Sequence, residues 1–260
     1  MNMGNRVFRR GKIETDEGRV SYVASEGPGP TLLLIPGSFG DCRVFDEVIA
    51  FLPSELQIVI VEIRGHGGSW PPPANGSIEQ FAADTMSVAD AAGLDAFYVG
   101  GHSIGGMVSL EIGRRWPRRT RGIVSVEGWT RSQAAEAFQG SMENTLTDEQ
   151  VRKKRSNRER VTRKWTQQQV EEFVRIWKRW DGLEFLRTTR TPILEMWGDR
   201  GRPRPALKRL YIPRRKNIQV HWVSGASHSL LLERPGEVAK AITAFISGLD
   251  GLRSTEKPGH

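Results

Sequence analysis

Residues 98–106, YVGGHSIGG, are the stretch whose residue types and spacing are best suited to chemistry. Within it, residues 101–105 follow the pattern G-x-S-x-G, which places a serine on a tight turn between a strand and a helix. The two outer glycines leave room for that turn, because a side chain at either position would collide across it. A hydroxyl held clear of a sheet in this way can attack a carbonyl carbon. The pattern therefore predicts that Ser103 is a nucleophile.

The composition is that of a folded protein with one large domain. Of 260 residues, 38% are hydrophobic and 26% are charged, and no apolar run approaches the ~20 residues of a membrane span. The charged N-terminus lacks the apolar stretch of a signal peptide. The single cysteine, Cys42, rules out an internal disulfide and is typical of a reducing compartment. We therefore expect a cytoplasmic protein without membrane contact, in which Cys42 serves in packing.

Positive charge is concentrated in one segment of the chain. The net charge is +8, and residues 150–181 hold eleven Lys and Arg against four Asp and Glu, which amounts to +7. Because the rest of the chain is nearly neutral, we expect no nucleic-acid partner. The segment is either a solvated helix face or a field that draws anionic or carboxylate-bearing substrates to a site. A patch that binds DNA or anionic lipid is the weakest alternative.

Strands and helices alternate along most of the chain, which predicts a mostly parallel sheet covered on both faces. The apolar runs predict strands at 7–13, 19–25, 31–35, 58–63, 96–99, 123–126, 193–197 and 218–223, and helices at 44–52, 78–92, 104–115 and 235–249. The alternation stops at residues 129–189, where charged and helical patterns replace strands. Apolar residues recur there at helical spacing, at Val170, Phe173, Val174 and Trp177. The polar tail, residues 250–260, is expected to fray.

Four landmarks resemble the α/β-hydrolase fold family, and the likeness covers nearly the whole chain. They are segments 35–38 (IPGS) and 64–67 (RGHG), the turn at Ser103, and segment 225–228 (GASH). The resemblance implies an α/β fold in which helices flank a mostly parallel eight-stranded sheet, with a helical cap inserted after strand 6. Residues 1–128 and 190–260 would then form the core domain, and residues 129–189 the cap.

His228 is the expected general base. It follows the last strand in a loop of small residues and precedes a helix, as the base of this family does, and the family's triad order is Ser, acid, His. The other histidines fit the role less well. His102 lies inside the serine turn, His221 lies in mid-strand, His260 is terminal, and His66 belongs to a glycine-rich loop of structural type.

Two carboxylates compete for the acid of the triad. Most of the family carries it in a Gly-x-x-Asp turn after the seventh strand, but here Gly201 holds that position and Asp199 stands two residues early. A minority, including some dehalogenases and lactonases, carries the acid after the sixth strand, where this chain has Glu127. We favour Glu127 as the acid and keep Asp199 as the alternative, since either must orient the base.

The oxyanion hole requires two backbone amides. Ile104 opens a helix and supplies one of them, and the resemblance implies that Ser38, which follows Gly37, supplies the other. Pro36 stands where the family usually has a histidine. Phe39 and Trp129 are candidate walls of the substrate pocket.

These residues together predict a serine esterase or lactonase. Ser103 would attack a carboxylic ester or lactone, His228 would act as base and Glu127 as acid, and the acyl-enzyme would be hydrolysed without a metal or cofactor. A serine nucleophile argues against dehalogenase and epoxide hydrolase activity. An amidase, a carbon–carbon bond hydrolase and a non-catalytic ligand receptor remain open. We expect a small-molecule substrate and a monomer or homodimer.

Overall fold

The computed structural model describes residues 1–4, 6–138 and 145–255. Its central sheet contains β1 (Arg9–Thr15), β2 (Gly18–Ala24), β3 (Thr31–Ile35), β4 (Gln57–Glu62), β5 (Phe97–His102), β6 (Thr120–Val126), β7 (Ile193–Gly198) and β8 (Ile218–Val223). The strand order is β8-β7-β6-β5-β3-β4-β2-β1. Strands β3 to β8 pair in parallel, whereas β2 pairs antiparallel with both β1 and β4. The predicted α/β fold with a mostly parallel eight-stranded sheet is confirmed.

Helices cover both faces of this sheet. They are α1 (Asp46–Ile49), α2 (Ile78–Ala91), α3 (Ile104–Arg115), α4 (Asp148–Thr162), α5 (Gln167–Arg179), α6 (Leu183–Thr188), α7 (Leu230–Glu233) and α8 (Pro235–Thr255). Alternate side chains of β3 enter two separate cores, Leu33 and Ile35 on one face and Leu32 and Leu34 on the other. The first core is closed by α2, α3, α5 and α6, and the second by α1, α7 and α8. A strand buried on both faces has to be apolar throughout, as the run at 31–35 is.

The segment between β6 and β7 is helical. It contains a 3-10 helix (Ser132–Phe138) followed by α4, α5 and α6, and no strand forms in its described residues, 129–138 and 145–189. A threonine precedes each of the helices α4 and α5 as its N-cap residue. The threonine side chain accepts a hydrogen bond from the amide of the third helical residue, in a complete capping box. No helix in the described ranges is long and apolar enough to cross a membrane.

Two local predictions need correction. Val174 was assigned to the apolar stripe of α5, but it is 39% exposed, whereas Ile176 is only 6% exposed and packs into the core. The polar tail does not fray at residue 250, because α8 continues to Thr255. Asp250 stabilises this continuation, since its carboxylate accepts hydrogen bonds from the Tyr98 hydroxyl (2.6 Å) and from Arg121 (2.5 Å). Residues 256–260 lie outside the described residues.

A carboxyl group is buried in the core at Glu195, on β7. It is fully buried next to Ser125 of β6, and within the described part of the chain neither carboxyl oxygen has a hydrogen-bond partner of good geometry. Burial raises the pKa of Glu195 to about 8, and the nearby Ser125 and Trp197 offset only part of that effect. The group is therefore a neutral acid at pH 7, which avoids an unpaired charge in the core.

This burial predicts a pH-dependent stability. Between pH 4.5 and 8 the folded state keeps the Glu195 proton while the unfolded state releases it, so the free energy of unfolding falls as pH rises. Glu195→Gln removes this titration. The difference in unfolding free energy between the wild type and Glu195→Gln should fall by up to about 1.4 kcal/mol per pH unit across that window. Urea denaturation at several pH values measures it, and parallel curves would contradict it.

Candidate active site

Ser103 occupies a strained turn between β5 and α3. Its φ of 55° and ψ of −120° lie in a region that non-glycine residues rarely adopt, and its amide donates to the carbonyl of Val126 (2.8 Å). The chain is too crowded there for side chains at the flanking positions. A Cβ on Gly105 would lie 2.1 Å from the Ile35 carbonyl oxygen, and one on Gly101 would lie 2.3 Å from the backbone of Gly105. The turn therefore has the geometry that the sequence pattern predicts.

Glu127 and His228 meet at the carboxyl edge of the sheet. Glu127 directly follows β6 and is fully buried, and its Oε2 lies 3.1 Å from Nδ1 of His228, which follows β8. Because a carboxylate only accepts, Nδ1 of His228 carries a proton and donates a hydrogen bond to Glu127. A ring that is protonated on Nδ1 alone has a free lone pair on Nε2, the state that a general base requires.

The same carboxylate is held by Arg200, a residue without a predicted role in the sequence analysis. Its guanidinium donates to Oε1 (2.8 Å) and to Oε2 (2.6 Å) of Glu127, and the amide of Gly198 donates to Oε1 (2.7 Å). Burial alone would raise the pKa of Glu127, but the hydrogen bonds and charges of His228 and Arg200 outweigh it and lower the pKa. Glu127 is therefore ionised. The only sequence signal for Arg200 was its place beside Gly201, where the family's usual acid is missing.

Asp199 makes a different set of contacts. Its carboxylate accepts hydrogen bonds from the amides of Gly201 (3.0 Å) and Gly225 (2.8 Å) and lies 3.5 Å from Arg204. These bonds join the turn after β7 to the turn after β8. The geometry thus gives Asp199 the contacts of a turn residue, and it favours Glu127 as the partner of His228.

Two aromatic rings pack around His228. His102 donates from Nε2 to the backbone carbonyl of His228 (2.7 Å), and burial, together with the neighbouring His228, lowers the pKa of His102 to about 3. The Trp129 ring stacks on the His228 ring with centroids 5.8 Å apart and an interplanar angle of 6°.

Ser103 lies next to His102 in the chain. Among the described residues, however, the Ser103 hydroxyl makes no hydrogen bond, including to His228. Such bonds are often long before substrate binds.

The amides of Ser38 and Ile104 are the candidate oxyanion donors. Neither amide has a hydrogen-bond acceptor within the described ranges. Gly37 lies close to Ser103, since a Cβ on Gly37 would be 3.3 Å from the Cβ of Ser103. Ser38 is thus beside the serine in space, although 65 positions separate them in the chain.

His66 fixes the loop that carries Ser38. Its Nε2 accepts from the amide of Phe39 (2.8 Å), so the proton sits on Nδ1, which donates to the Arg64 carbonyl (3.0 Å). Burial lowers the pKa of His66 to about 4, so the ring stays neutral and keeps this arrangement at pH 7. The prediction that His66 is structural agrees with these contacts. The Phe39 amide is bonded to His66, whereas the Ser38 amide can still donate to a ligand.

A cavity of about 270 Å³ opens beside these residues. Ser38 and Phe39 line it, together with His102 and Ser229, the immediate chain neighbours of Ser103 and His228. Basic residues of α4 line its other side. Within the described part of the chain, no group of three or more His, Cys, Asp or Glu side chains could hold a metal ion.

Known proteins share both sequence and fold with this chain. Residues 32–241 match the model of the alpha/beta hydrolase family. The chain is 32% identical over 111 residues to the protein named "Putative carbamate hydrolase RutD" of Azorhizobium caulinodans, a match that spans 43% of this chain and 42% of that protein. The chain thus aligns with less than half the length of this curated relative.

Solved structures of lower identity share the fold. Carboxylesterase CesB (YbfK) from Bacillus subtilis has a TM-score of 0.70 at 20% identity, over 93% of this chain and 92% of that one. A loop variant of the haloalkane dehalogenase DbeA from Bradyrhizobium elkanii has a TM-score of 0.74 at 11% identity, over 96% and 99%. Because an esterase and a dehalogenase fit equally well, the fold alone does not decide the reaction. The family match, which covers most of the sequence, shows that the chain belongs to the alpha/beta hydrolase family.

Proposed function

We propose that this protein is a serine hydrolase that cleaves a small carboxylic ester or lactone through an acyl-enzyme. The observation that carries the proposal is the hydrogen bond from His228 Nδ1 to the buried carboxylate of Glu127. Ser103 lies on a strained turn directly after His102, whose ring centroid is 4.9 Å from that of His228. The contact with Glu127 orients the imidazole as a base for this serine. The curated relatives are named as carbamate hydrolases, and hydrolysis of a carbamate also requires attack on a carbonyl carbon, which supports the proposal.

The reaction follows from the protonation states. Ser103 Oγ attacks the substrate carbonyl while His228 Nε2 takes its proton, and Glu127 stabilises the imidazolium that forms. The amides of Ser38 and Ile104 bind the negative oxygen of the tetrahedral intermediate. The intermediate collapses to the acyl-enzyme, and His228 returns the proton to the leaving alcohol. His228 then takes a proton from a water molecule, which attacks the acyl-enzyme. The second tetrahedral intermediate releases the acid, and His228 returns the proton to Ser103.

Carbamate cleavage is a second candidate, favoured by the name of the relative whose match spans 43% of this chain. The same three side chains would attack the carbamate carbonyl and release an amine or ammonia. A short p-nitrophenyl ester and a carbamate of similar size, compared by kcat/KM, distinguish the two functions. A higher value for the carbamate would replace the ester in the proposal.

Removal of the nucleophile gives the most direct test. Ser103→Ala should lower kcat for p-nitrophenyl butyrate by at least about 10³-fold, because binding and the oxyanion hole alone supply only the residual rate. A fluorophosphonate probe should label the wild type and not this variant. Ser87→Ala, a change on the exposed face of α2, is the matched control and should react normally. Unchanged turnover in Ser103→Ala would refute the proposal.

The identity of the acid is tested by two paired substitutions. Glu127→Gln should lower kcat by about 10³- to 10⁴-fold, because an amide cannot stabilise the imidazolium as a carboxylate does. Asp199→Asn should change kcat less than about threefold, since Asp199 contacts turn amides. Circular dichroism and melting curves check that both variants fold, because Glu127→Gln leaves Arg200 without its charge partner. A larger loss in Asp199→Asn would reverse the assignment.

Arg200 is proposed as a positioning residue that acts through Glu127. Arg200→Met should lower kcat about tenfold with little change in KM, because the bidentate contact that holds Glu127 against His228 is lost. Arg200→Lys, which keeps the charge but loses the bidentate contact, should recover only part of the rate. A loss of stability with an unchanged kcat would leave Arg200 a purely structural role.

A further inference from the structure

We propose that the substrate carries a carboxylate of its own at the end of a short acyl chain, bound by Lys154 and Arg158 of α4. This inference rests on the proposed ester hydrolysis and adds the chemical class of the substrate. It is carried by three observations: a cavity lined by Ser38 and by the chain neighbours of Ser103 and His228, cations of α4 on one side of it, and the absence of ion-pair partners for two of these α4 cations.

The cavity has the size and lining of a site for a small amphipathic molecule. Its volume of about 270 Å³ lies just below the range of typical small-molecule sites. Apolar side chains of Val44, Leu231 and Leu232 line it together with Ser38, the proposed oxyanion donor. An acyl chain whose carbonyl is bound at Ser38 would thus extend along apolar walls towards α4.

Two of the cations around the cavity are neutralised by carboxylates that lie outside its lining. Five cations line the cavity, namely Arg43, Lys153, Lys154, Arg158 and Arg160, against one carboxylate, Asp46. Lys153 forms an ion pair with Glu47, and Arg160 forms one with Asp41 (2.9 Å). Burial raises the pKa of Asp46, and the charges of Lys153 and Arg43 offset part of that effect. Among the cavity cations that belong to α4, Lys154 and Arg158 form no ion pair within the described ranges.

Lys154 has its ammonium group directed towards the candidate active site. Its Nζ donates to the hydroxyl of Ser229 (2.8 Å), the residue after His228. Within the described ranges no carboxylate lies within ion-pair distance of this ammonium, and partial desolvation lowers its pKa in spite of the more distant Glu233. A cation without a partner at the edge of an apolar cavity gains from an anionic ligand.

Arg158 lies on the same side of the cavity, one helical turn after Lys154. Its guanidinium stacks over the Phe39 ring at 4.2 Å from the centroid, next to Ser38. No ion pair engages it in the described part of the chain. The stacking fixes the planar group by one face and leaves its N–H donors free for a carboxylate.

A pair of esters of equal length tests this inference. The p-nitrophenyl monoester of glutaric acid carries the terminal carboxylate, and p-nitrophenyl valerate has a methyl group in its place. At low ionic strength the wild type should prefer the glutarate ester in kcat/KM, after the uncatalysed rates are subtracted. Lys154→Met and Arg158→Met should each reduce this preference about tenfold, through KM of the anionic ester. Both should hydrolyse the valerate ester within about twofold of the wild-type rate.

Two further variants sharpen the comparison. Lys154→Arg keeps the positive charge and should keep most of the preference. Arg155→Met is the matched control from the same helix, because Arg155 lies outside the cavity and pairs with Glu159 at 2.7 Å. It should leave the preference unchanged, and an equal loss in Arg155→Met would overturn the proposal in favour of a general field of α4.

The outcomes separate this inference from the proposed function. Ser103-dependent hydrolysis of valerate with an unchanged preference in Lys154→Met and Arg158→Met would overturn the carboxylate site and leave the esterase standing. If the wild type hydrolyses neither ester, calorimetry with monomethyl glutarate and the Ser103→Ala protein decides. Binding that Lys154→Met weakens about tenfold would support the anion site and overturn the esterase, and no binding would overturn both.

Discussion

The carboxylate of Glu127 is buried without contact to water, and an isolated charge at such a position would be costly by several kcal/mol. Three residues compensate the charge through four hydrogen bonds: Arg200 donates from both terminal nitrogens of its guanidinium, Gly198 donates from its amide, and His228 donates from its imidazole. This compensation keeps the group ionised, which in turn decides that His228 carries its proton on Nδ1. The imidazole of His228 is thereby linked to Arg200 through a shared carboxylate.

The register of the parallel sheet makes this arrangement possible. Ser103 follows β5, Glu127 follows β6, Arg200 follows β7 and His228 follows β8, and these four strands are consecutive neighbours in the sheet. Parallel strands present their carboxyl ends at one edge, so four residues spread over 126 positions come together there. Neutral, buried imidazoles hold the surrounding loops, with His66 bonded to the Phe39 amide and His102 to the His228 carbonyl.

Two sets of polar side chains near this framework lack a matching partner among the described residues. Glu195 lies in the core as a neutral acid, and its contribution to stability varies with pH. Lys154 and Arg158 line the cavity with no ion-pair partner among the described residues, in the segment that holds most of the net positive charge. The charge pattern alone is compatible with a solvated face, which it favours, and with a substrate field. The distinction depends on which cations are neutralised, and ion pairs such as Lys153 with Glu47 are made with residues far away in the chain.

The sequence by itself determined what depends on neighbouring residues. Apolar runs such as residues 31–35 predicted buried strands, and the glycines around Ser103 predicted a turn that only small residues permit. The family resemblance predicted His228 as the base. Only the tertiary structure brings one of the two candidate acids to that base, because it places the carboxylate of Glu127 next to Nδ1 of His228, 101 positions away in the chain. It also revealed Arg200, whose partner lies 73 positions away. The local pattern of residues does not predict contacts between residues so far apart in the chain, because the order of the strands in the sheet determines those contacts.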